Sequence, residues 1–303
     1  MKLAVIGGAG LLGSTAAFCL STKNVFEEIR LIDVKENLVK SHAMDMDQGV
    51  SLLSDTRVVS ADYGALEDSD VILIAASVPE TGSASRDAYL TANRNILLSI
   101  CEKLRGLPRN KVIVNAANPV DVLNSVIQEN TSFDRRRILG FCLNDTTRLR
   151  WSVAKCLGVH TRQVEAWCLG EHGGMMVPLL DRVRVDGSSV ALSPDQKKRV
   201  LDEVNGWFAA YQGLQSGRTS GWTSGIGLAR LVCAVAEDRN EILPCSVILD
   251  GEYHNSAVSV GVLARIGANG VSEFVEPELT VQEQAGLDAA CAKIKQANKS
   301  IEL

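Results

Sequence analysis

Three short segments of this 303-residue chain carry side chains whose types and spacing could do chemistry. Gly170-Glu171-His172-Gly173-Gly174 sets a single histidine among glycines, just before Val177-Pro178. Leu143-Asn144-Asp145-Thr146-Thr147-Arg148 places a carboxylate three residues before a guanidinium, one helical turn apart. Ser85-Arg86-Asp87 follows a polar, glycine-containing stretch, Val78–Ala84. An imidazole titrates near neutrality and can carry a proton. An arginine offers a planar fork matched to a carboxylate. Singly, each segment has a plainer explanation: a lone histidine is commonly structural, and Asp-x-x-Arg is a common surface pair.

A fourth segment, Gly7-Gly8-Ala9-Gly10-Leu11-Leu12-Gly13, lies between a strand-like run and a helical one. Such a turn lets backbone approach a pyrophosphate without an obstructing Cβ, and the helix that follows offers free N–H groups to the phosphates. A glycine-rich turn alone is weak evidence. Asp33 strengthens it, standing 20 residues beyond Gly13 at the end of the next strand-like run. A carboxylate there can hold a ribose 2′-hydroxyl and would repel a 2′-phosphate, so NAD is expected rather than NADP.

The elements that must position these groups are legible as alternation. Leu3–Gly7, Ile29–Asp33, Val58–Ser60, Val71–Ala76 and Val112–Ala116 are short strand candidates. The first, fourth and fifth are nearly continuous in apolar residues, as strands buried on both faces of a parallel sheet are. Helical patterns lie between them, at Leu11–Leu20 and, after a Ser85 N-cap, through Leu90, Ile96, Leu97, Ile100 and Leu104. This predicts right-handed crossovers and a doubly wound sheet. The second half changes character. Ser193-Pro194 predicts a helix with Val200, Val204, Trp207, Tyr211 and Leu214 on its apolar face. Thr280-x-x-Glu283 predicts a capping box opening a last helix to about Gln296. Val183–Val185, Val247–Leu249 and Ser259–Val262 are β-like. The expected division is 1–143 and 144–303, joined near Gly140–Asn144, the second part a mixed α+β domain.

Composition narrows the function classes. The chain has 31 Lys plus Arg against 36 Asp plus Glu, a formal charge of −5, and its one basic run, Arg135-Arg136-Arg137, reads as a solvated turn. Nucleic acid is therefore not an expected partner. No apolar run approaches the roughly 18 residues of a membrane span, and no signal-peptide pattern precedes the first strand, so no membrane partner is expected. Eight scattered cysteines without a C-x-x-C pair read as reduced thiols of a cytoplasmic protein. His42, His160, His172 and His254 lack zinc-ligand spacing, and no metal is expected.

Taken together and in this order, the four segments resemble the malate/lactate dehydrogenase family over nearly the whole chain. Asn118-Pro119-Val120-Asp121, Asn93 seven residues after Arg86, Leu243-Pro244-Cys245 and Gly251-Glu252-Tyr253 extend the resemblance, the last two toward the malate branch. It implies an N-terminal Rossmann-type NAD-binding domain and a C-terminal substrate domain. The implied activity is reversible hydride transfer between NAD and a small 2-hydroxy or 2-oxo acid, in a homodimer or homotetramer. By the same resemblance His172 is the acid/base, Asp145 orients its ring, Arg148 binds the substrate carboxylate, and Arg86 polarises the substrate oxygen with Asn118 assisting. Gly7, Gly8, Gly10, Leu11, Leu12, Gly13, Asp33, Asn93, Ala116, Ala117 and Asn118 would line the cofactor, and the Val78–Ala84 loop would close over the substrate.

The chain departs from the family pattern at the loop position that selects substrate. Malate enzymes place arginine there and lactate enzymes glutamine; this chain has Glu80. Turned inward, it would face a second substrate carboxylate at about 4 Å and repel it by about 4 kcal/mol at an effective dielectric of 20. Ser220, Gly221 and Ser224 stand where lactate enzymes carry a threonine, a bulky aromatic and an apolar residue, which predicts a roomier, more polar pocket. A preference for a neutral polar or cationic 2-oxo acid would follow; with Glu80 swung into solvent, the expectation is instead a weak generalist. Two rival classes fit the residues less well. Short-chain dehydrogenases share the glycine turn but need Tyr-x-x-x-Lys, and none of Tyr63, Tyr89, Tyr211 or Tyr253 has a lysine four residues on. An idle NAD-binding module would be expected to have lost His172, Asp145, Arg148 or Arg86, and all four are present.

Overall fold

The computed structural model describes residues 1–78 and 86–301; the side chains of Arg86, Asp87 and Ile301 lie outside the described set, as do Glu80 and the expected Ser85 cap. The continuous apolar runs become strands sealed from water on both faces. Lys2–Ile6 (β1), Glu28–Ile32 (β2), Arg57–Ser60 (β3), Val71–Ile74 (β4), Val112–Asn115 (β5) and Ile138–Gly140 (β6) pair in the order β3-β2-β1-β4-β5-β6, every pairing parallel. This is the doubly wound order with its switch point between β1 and β4. Leu11–Ser21 (α1), Glu36–Val50 (α2), Arg86–Leu104 (α3) and Val120–Asn130 (α4) are the connecting helices.

After β6 the chain enters Leu143–Leu157 (α5), then the short strands Val164–Glu165 (β7), Cys168–Gly170 (β8), Met176–Pro178 (β9), Arg184–Val185 (β10) and Ser188–Ser189 (β11). Pro194–Gly213 (α6), Trp222–Ala236 (α7), Glu241–Asp250 (β12), Ser256–Gly267 (β13), Gly270–Phe274 (β14) and Val281–Ile301 (α8) complete it. The long antiparallel hairpin β12–β13 joins the parallel sheet where Ser246 pairs with Gly140, and β8 joins β13 where Gly170 pairs with Gly261. One eleven-stranded sheet thus runs through both halves of the chain, with a separate three-stranded sheet, β11-β10-β7, beside it.

The two expected caps that fall within the described residues form. Ser193 accepts from the Gln196 N–H while Gln196 reaches back to the Ser193 N–H, with Pro194 at the first helical position. Thr280 and Glu283 make the same reciprocal pair, and α8 runs on past Gln296 to Ile301. Val200 and Val204 are buried as expected, but Leu214 at the end of the predicted apolar face is exposed. The arginine triplet forms the expected turn just before β6, with none of the three residues buried, and its side chains bond neighbouring segments. Arg135 pairs with Glu252 at 2.7 Å and bonds the Ile248 carbonyl, Arg136 bonds the Ser272 carbonyl, and Arg137 bonds the Asn110 carbonyl and Asn269. Carbonyls left open around the start of β6 are satisfied by guanidinium groups, which explains three adjacent cations.

Candidate active site

The β1–α1 turn can take this path only with glycine at its key positions. Gly7 has φ +89°, and a Cβ there would meet the Ala76 nitrogen at 2.6 Å; one on Gly13 would meet the Gly7 carbonyl oxygen at 2.2 Å. Helix α1 opens on Gly10 with no side-chain cap, leaving its first N–H groups to a ligand. Asp33 stands beside this turn. Its Oδ2 accepts the Ala9 N–H at 3.0 Å and its Oδ1 the Lys35 N–H at 3.0 Å. The bare helix start and the carboxylate across from it fit a dinucleotide: pyrophosphate on the helix, ribose on Asp33.

Asp145 lies in the first turn of α5, directly after β6, and is only 6% exposed. His172 comes from the turn between β8 and β9. Gly170 makes that turn possible: φ is +92°, and a Cβ would meet the Met175 carbonyl oxygen at 2.4 Å. His172 Nδ1 stands 2.6 Å from Asp145 Oδ2, so Asp145 holds the Nδ1 proton and leaves Nε2 for the reaction. Arg148 Nη1 donates to the other Asp145 oxygen at 3.4 Å. Histidine, aspartate and arginine, distant or merely adjacent in sequence, form one cluster.

A second carboxylate supports the same histidine from behind. Asp121, in the first turn of α4 and 2% exposed, accepts the His172 backbone N–H at 2.8 Å through Oδ2 and the Ser246 hydroxyl at 2.5 Å through Oδ1. Ser246 Oγ in turn lies 2.9 Å from Ser259 Oγ, linking α4 to the β12–β13 hairpin. Burial raises the Asp121 pKa from 3.8 to about 6, against the lowering effects of Ser246, the His172 N–H and the His172 charge, while Glu171 raises it further. For His172, burial disfavours the imidazolium, but the charge and hydrogen bond of Asp145 and the charge of Asp121 outweigh burial and the opposing Arg148. The net shift is upward. The turn is tied down by Glu171, which accepts the Met175 N–H at 3.1 Å and the Lys293 ammonium of α8 at 2.7 Å.

The remaining expected residues fall around this cluster. Asn118 is exposed at the end of β5, next to a cis bond to Pro119, and Ala116 and Ala117 are buried beneath it. Asn93 is a buried strut: its Oδ1 accepts the Val78 N–H at 2.8 Å and its Nδ2 donates to the Asn118 carbonyl at 2.8 Å, tying the stem of the loop to the β5–α4 turn. Arg86 begins α3. Residues Ser220, Gly221 and Ser224 are engaged with their neighbours. Ser224 Oγ accepts from Asn144 Nδ2 at 2.7 Å and donates to the Ser220 carbonyl at 2.9 Å, so its hydroxyl is engaged. Leu11 fills the space beside Gly221, where a Cβ would meet its Cγ at 2.9 Å.

Asp121, Asn144 and Trp207 contact the expected residues, and residue types alone did not point to them. Asp121 stood in a quoted motif, but its link to His172 spans 51 residues and exists only in the fold. Trp207 read as an apolar-face residue of α6; its ring lies under the Arg148 guanidinium, 4.3 Å from centroid to Cζ.

Comparison with known proteins bears on this geometry. Residues 1–140 match the lactate/malate dehydrogenase NAD-binding domain, and residues 144–302 the alpha/beta C-terminal domain of the same family. A malate dehydrogenase of Halobacterium salinarum is 34% identical over 296 residues, 97% of each chain. The crystal structure of malate dehydrogenase from Salinibacter ruber superposes with a TM-score of 0.91 at 32% identity, covering 99% of this chain and 97% of that one. A Cryptosporidium parvum lactate dehydrogenase solved with lactic acid and NAD gives 0.93 at 25% identity, over 99% and 98%. The chain belongs to the lactate/malate dehydrogenase family of NAD-dependent 2-hydroxy acid dehydrogenases.

Proposed function

We propose that the cluster of His172, Asp145 and Arg148 interconverts a small 2-hydroxy acid and its 2-oxo acid, with His172 moving the proton. NAD, when bound along Gly7–Gly13, Asp33 and Asn118, supplies the two-electron acceptor and donor. Arg148 offers its fork to the substrate carboxylate, which places the adjacent hydroxyl or carbonyl oxygen near His172 Nε2. In oxidation neutral His172 takes the hydroxyl proton; in reduction the imidazolium returns it to the forming hydroxyl oxygen. Asp145 fixes the ring orientation and stabilises the charged form. Arg86 is assigned to polarising the substrate oxygen and Glu80 to the substrate-selecting loop, on sequence position. The division at 143/144 then separates the cofactor half from the half that supplies Asp145, Arg148 and His172.

The observation that carries this reading is the 2.6 Å contact between His172 Nδ1 and Asp145 Oδ2 beside the half-buried Arg148. Exposed apolar side chains support a homodimer: Phe18 on α1, Leu52 and Leu53 beyond α2, and Trp222 and Ile226 on α7 are 49–88% exposed. Eight free cysteines support a reducing compartment, the cytoplasm. No helix among the described residues is long and apolar enough to cross a membrane. The test is His172→Gln and Asp145→Asn, each assayed for 2-oxo acid reduction and for NADH binding. The expected result is a fall in kcat of about 10²–10⁴ with NADH affinity kept. Unchanged turnover in His172→Gln would overturn the assignment.

A further inference from the structure

Arg148 is a long side chain with a weak polar tether. It is 18% exposed, and its hydrogen bond to Asp145 is long at 3.4 Å. That contact alone does not set the plane of the guanidinium, and a planar fork receives a carboxylate only in its own plane. The plane is set instead by an aromatic support from α6. The Trp207 ring faces the guanidinium with Cζ 4.3 Å from the ring centroid, well inside cation–π range. Trp207 is itself held from its other neighbour on the helix: Tyr211, one turn on, stacks with it at 5.0 Å between centroids and 16° between planes. Tyr211 Oη donates to the Thr219 carbonyl at 3.1 Å, fastening the pair to the segment that leads into Ser220–Ser224.

We propose that Trp207 is a positioning residue for substrate: its ring, braced by Tyr211, fixes the plane in which Arg148 meets the substrate carboxylate. The proposal rests on the reading of Arg148 as the carboxylate anchor. It assigns Trp207 no contact with the reacting atoms. The contacts run on from Arg148 through Trp207 and Tyr211 to the Thr219 carbonyl.

The test is steady-state kinetics at saturating NADH on Trp207→Leu and Trp207→Phe, using whichever of oxaloacetate and pyruvate the wild type reduces faster. Loss of a partly desolvated cation–π contact predicts a KM raised about tenfold in the leucine variant, with kcat changed less than about threefold. Phenylalanine, a weaker but planar support, should bring KM back to within about threefold of wild type. NADH affinity and the pH profile of kcat should stay as in the wild type, which a general loss of structure would not allow. Equal KM in wild type and Trp207→Leu overturns the proposal, as does an equal rise in the Leu and Phe variants. Should the leucine variant not fold, Trp207→Phe alone decides: a two- to threefold rise in KM supports the proposal, and no rise overturns it. Arg148→Lys separates the two levels. If Arg148→Lys leaves KM unchanged, the anchor reading fails. If it raises KM while Trp207→Leu does not, only the role of Trp207 fails.

Discussion

Replacing Asp121 with asparagine should change how stability depends on pH, by an amount the structure sets. The carboxyl is buried, and its pKa rises from 3.8 unfolded to about 6 folded. A raised carboxyl is the reverse of the usual acidic case. Between the two values the folded state holds more protons than the unfolded one, so this group withdraws stability as pH rises. Integrating between those two values gives a loss of about 1.4 kcal/mol from pH 5 to pH 8 from this group alone. Asparagine can still accept the His172 N–H, and Ser246 can rotate to accept from the new amide, so any constant cost is the same at both pH values. The groups facing Asp121 are His172, Glu171, Ser246 and the thiols of Cys142, Cys245 and Cys291. The His172 charge acts on Asp121 through the same contact. Urea unfolding of both proteins at pH 5 and pH 8 measures the difference. The gap between variant and wild type should move by about 1.4 kcal/mol in favour of Asp121→Asn at the higher pH. A pH-independent gap would refute the account of Asp121 as a buried, ionising support. The same variant should lower the kinetic pKa of His172, because the Asp121 charge helps raise it.

Three further outcomes follow from the same geometry. Because the His172 pKa stands above its ordinary 6.5, kcat/KM for 2-oxo acid reduction should hold through that pH and fall only as pH climbs through the raised value, while oxidation shows the mirror image; rate–pH profiles in both directions check this. Asp33→Ser removes the charge expected to repel a 2′-phosphate and should raise NADPH kcat/KM relative to NADH by about tenfold or more, read from the ratio of the two cofactors. Glu80→Arg should raise kcat/KM for oxaloacetate over pyruvate, since about 4 kcal/mol of repulsion at 4 Å would be replaced by attraction. An unchanged ratio would show that Glu80 does not face the substrate.

What could be read from the chain before its fold depended on whether the signal was local. The glycine turn, the Asp33 position, the Ser193-Pro194 cap and the Thr280–Glu283 capping box are local chemistry, and each formed where its residues stood. Helix α4 has Val120, Leu123, Val126 and Ile127 at helical spacing, but its Asp121, Asn124 and Ser125 are buried as well, and no apolar pattern marks those polar positions as core. Helix α7 holds Gly225 and Gly227, whose missing side chains let Thr15 and Phe141 pack against it; glycine weakens the helical pattern where close packing requires it. Strand β12 was recognised only at Val247–Leu249, since Pro244 interrupts the strand-like pattern. In the site, His172, Asp145 and Arg148 were legible as a set in a known order. The commitment of Ser224 to Asn144 and the support of His172 by Asp121 were not, because both are contacts across tens of residues that no residue type announces.

The most direct test of the account is NADH oxidation at 340 nm with oxaloacetate, pyruvate and an amino-bearing 2-oxo acid, wild type beside His172→Gln. The account predicts turnover by the wild type of at least one of the three and a loss of about 10²–10⁴ in the variant. NADH binding without turnover of any of the three would contradict it.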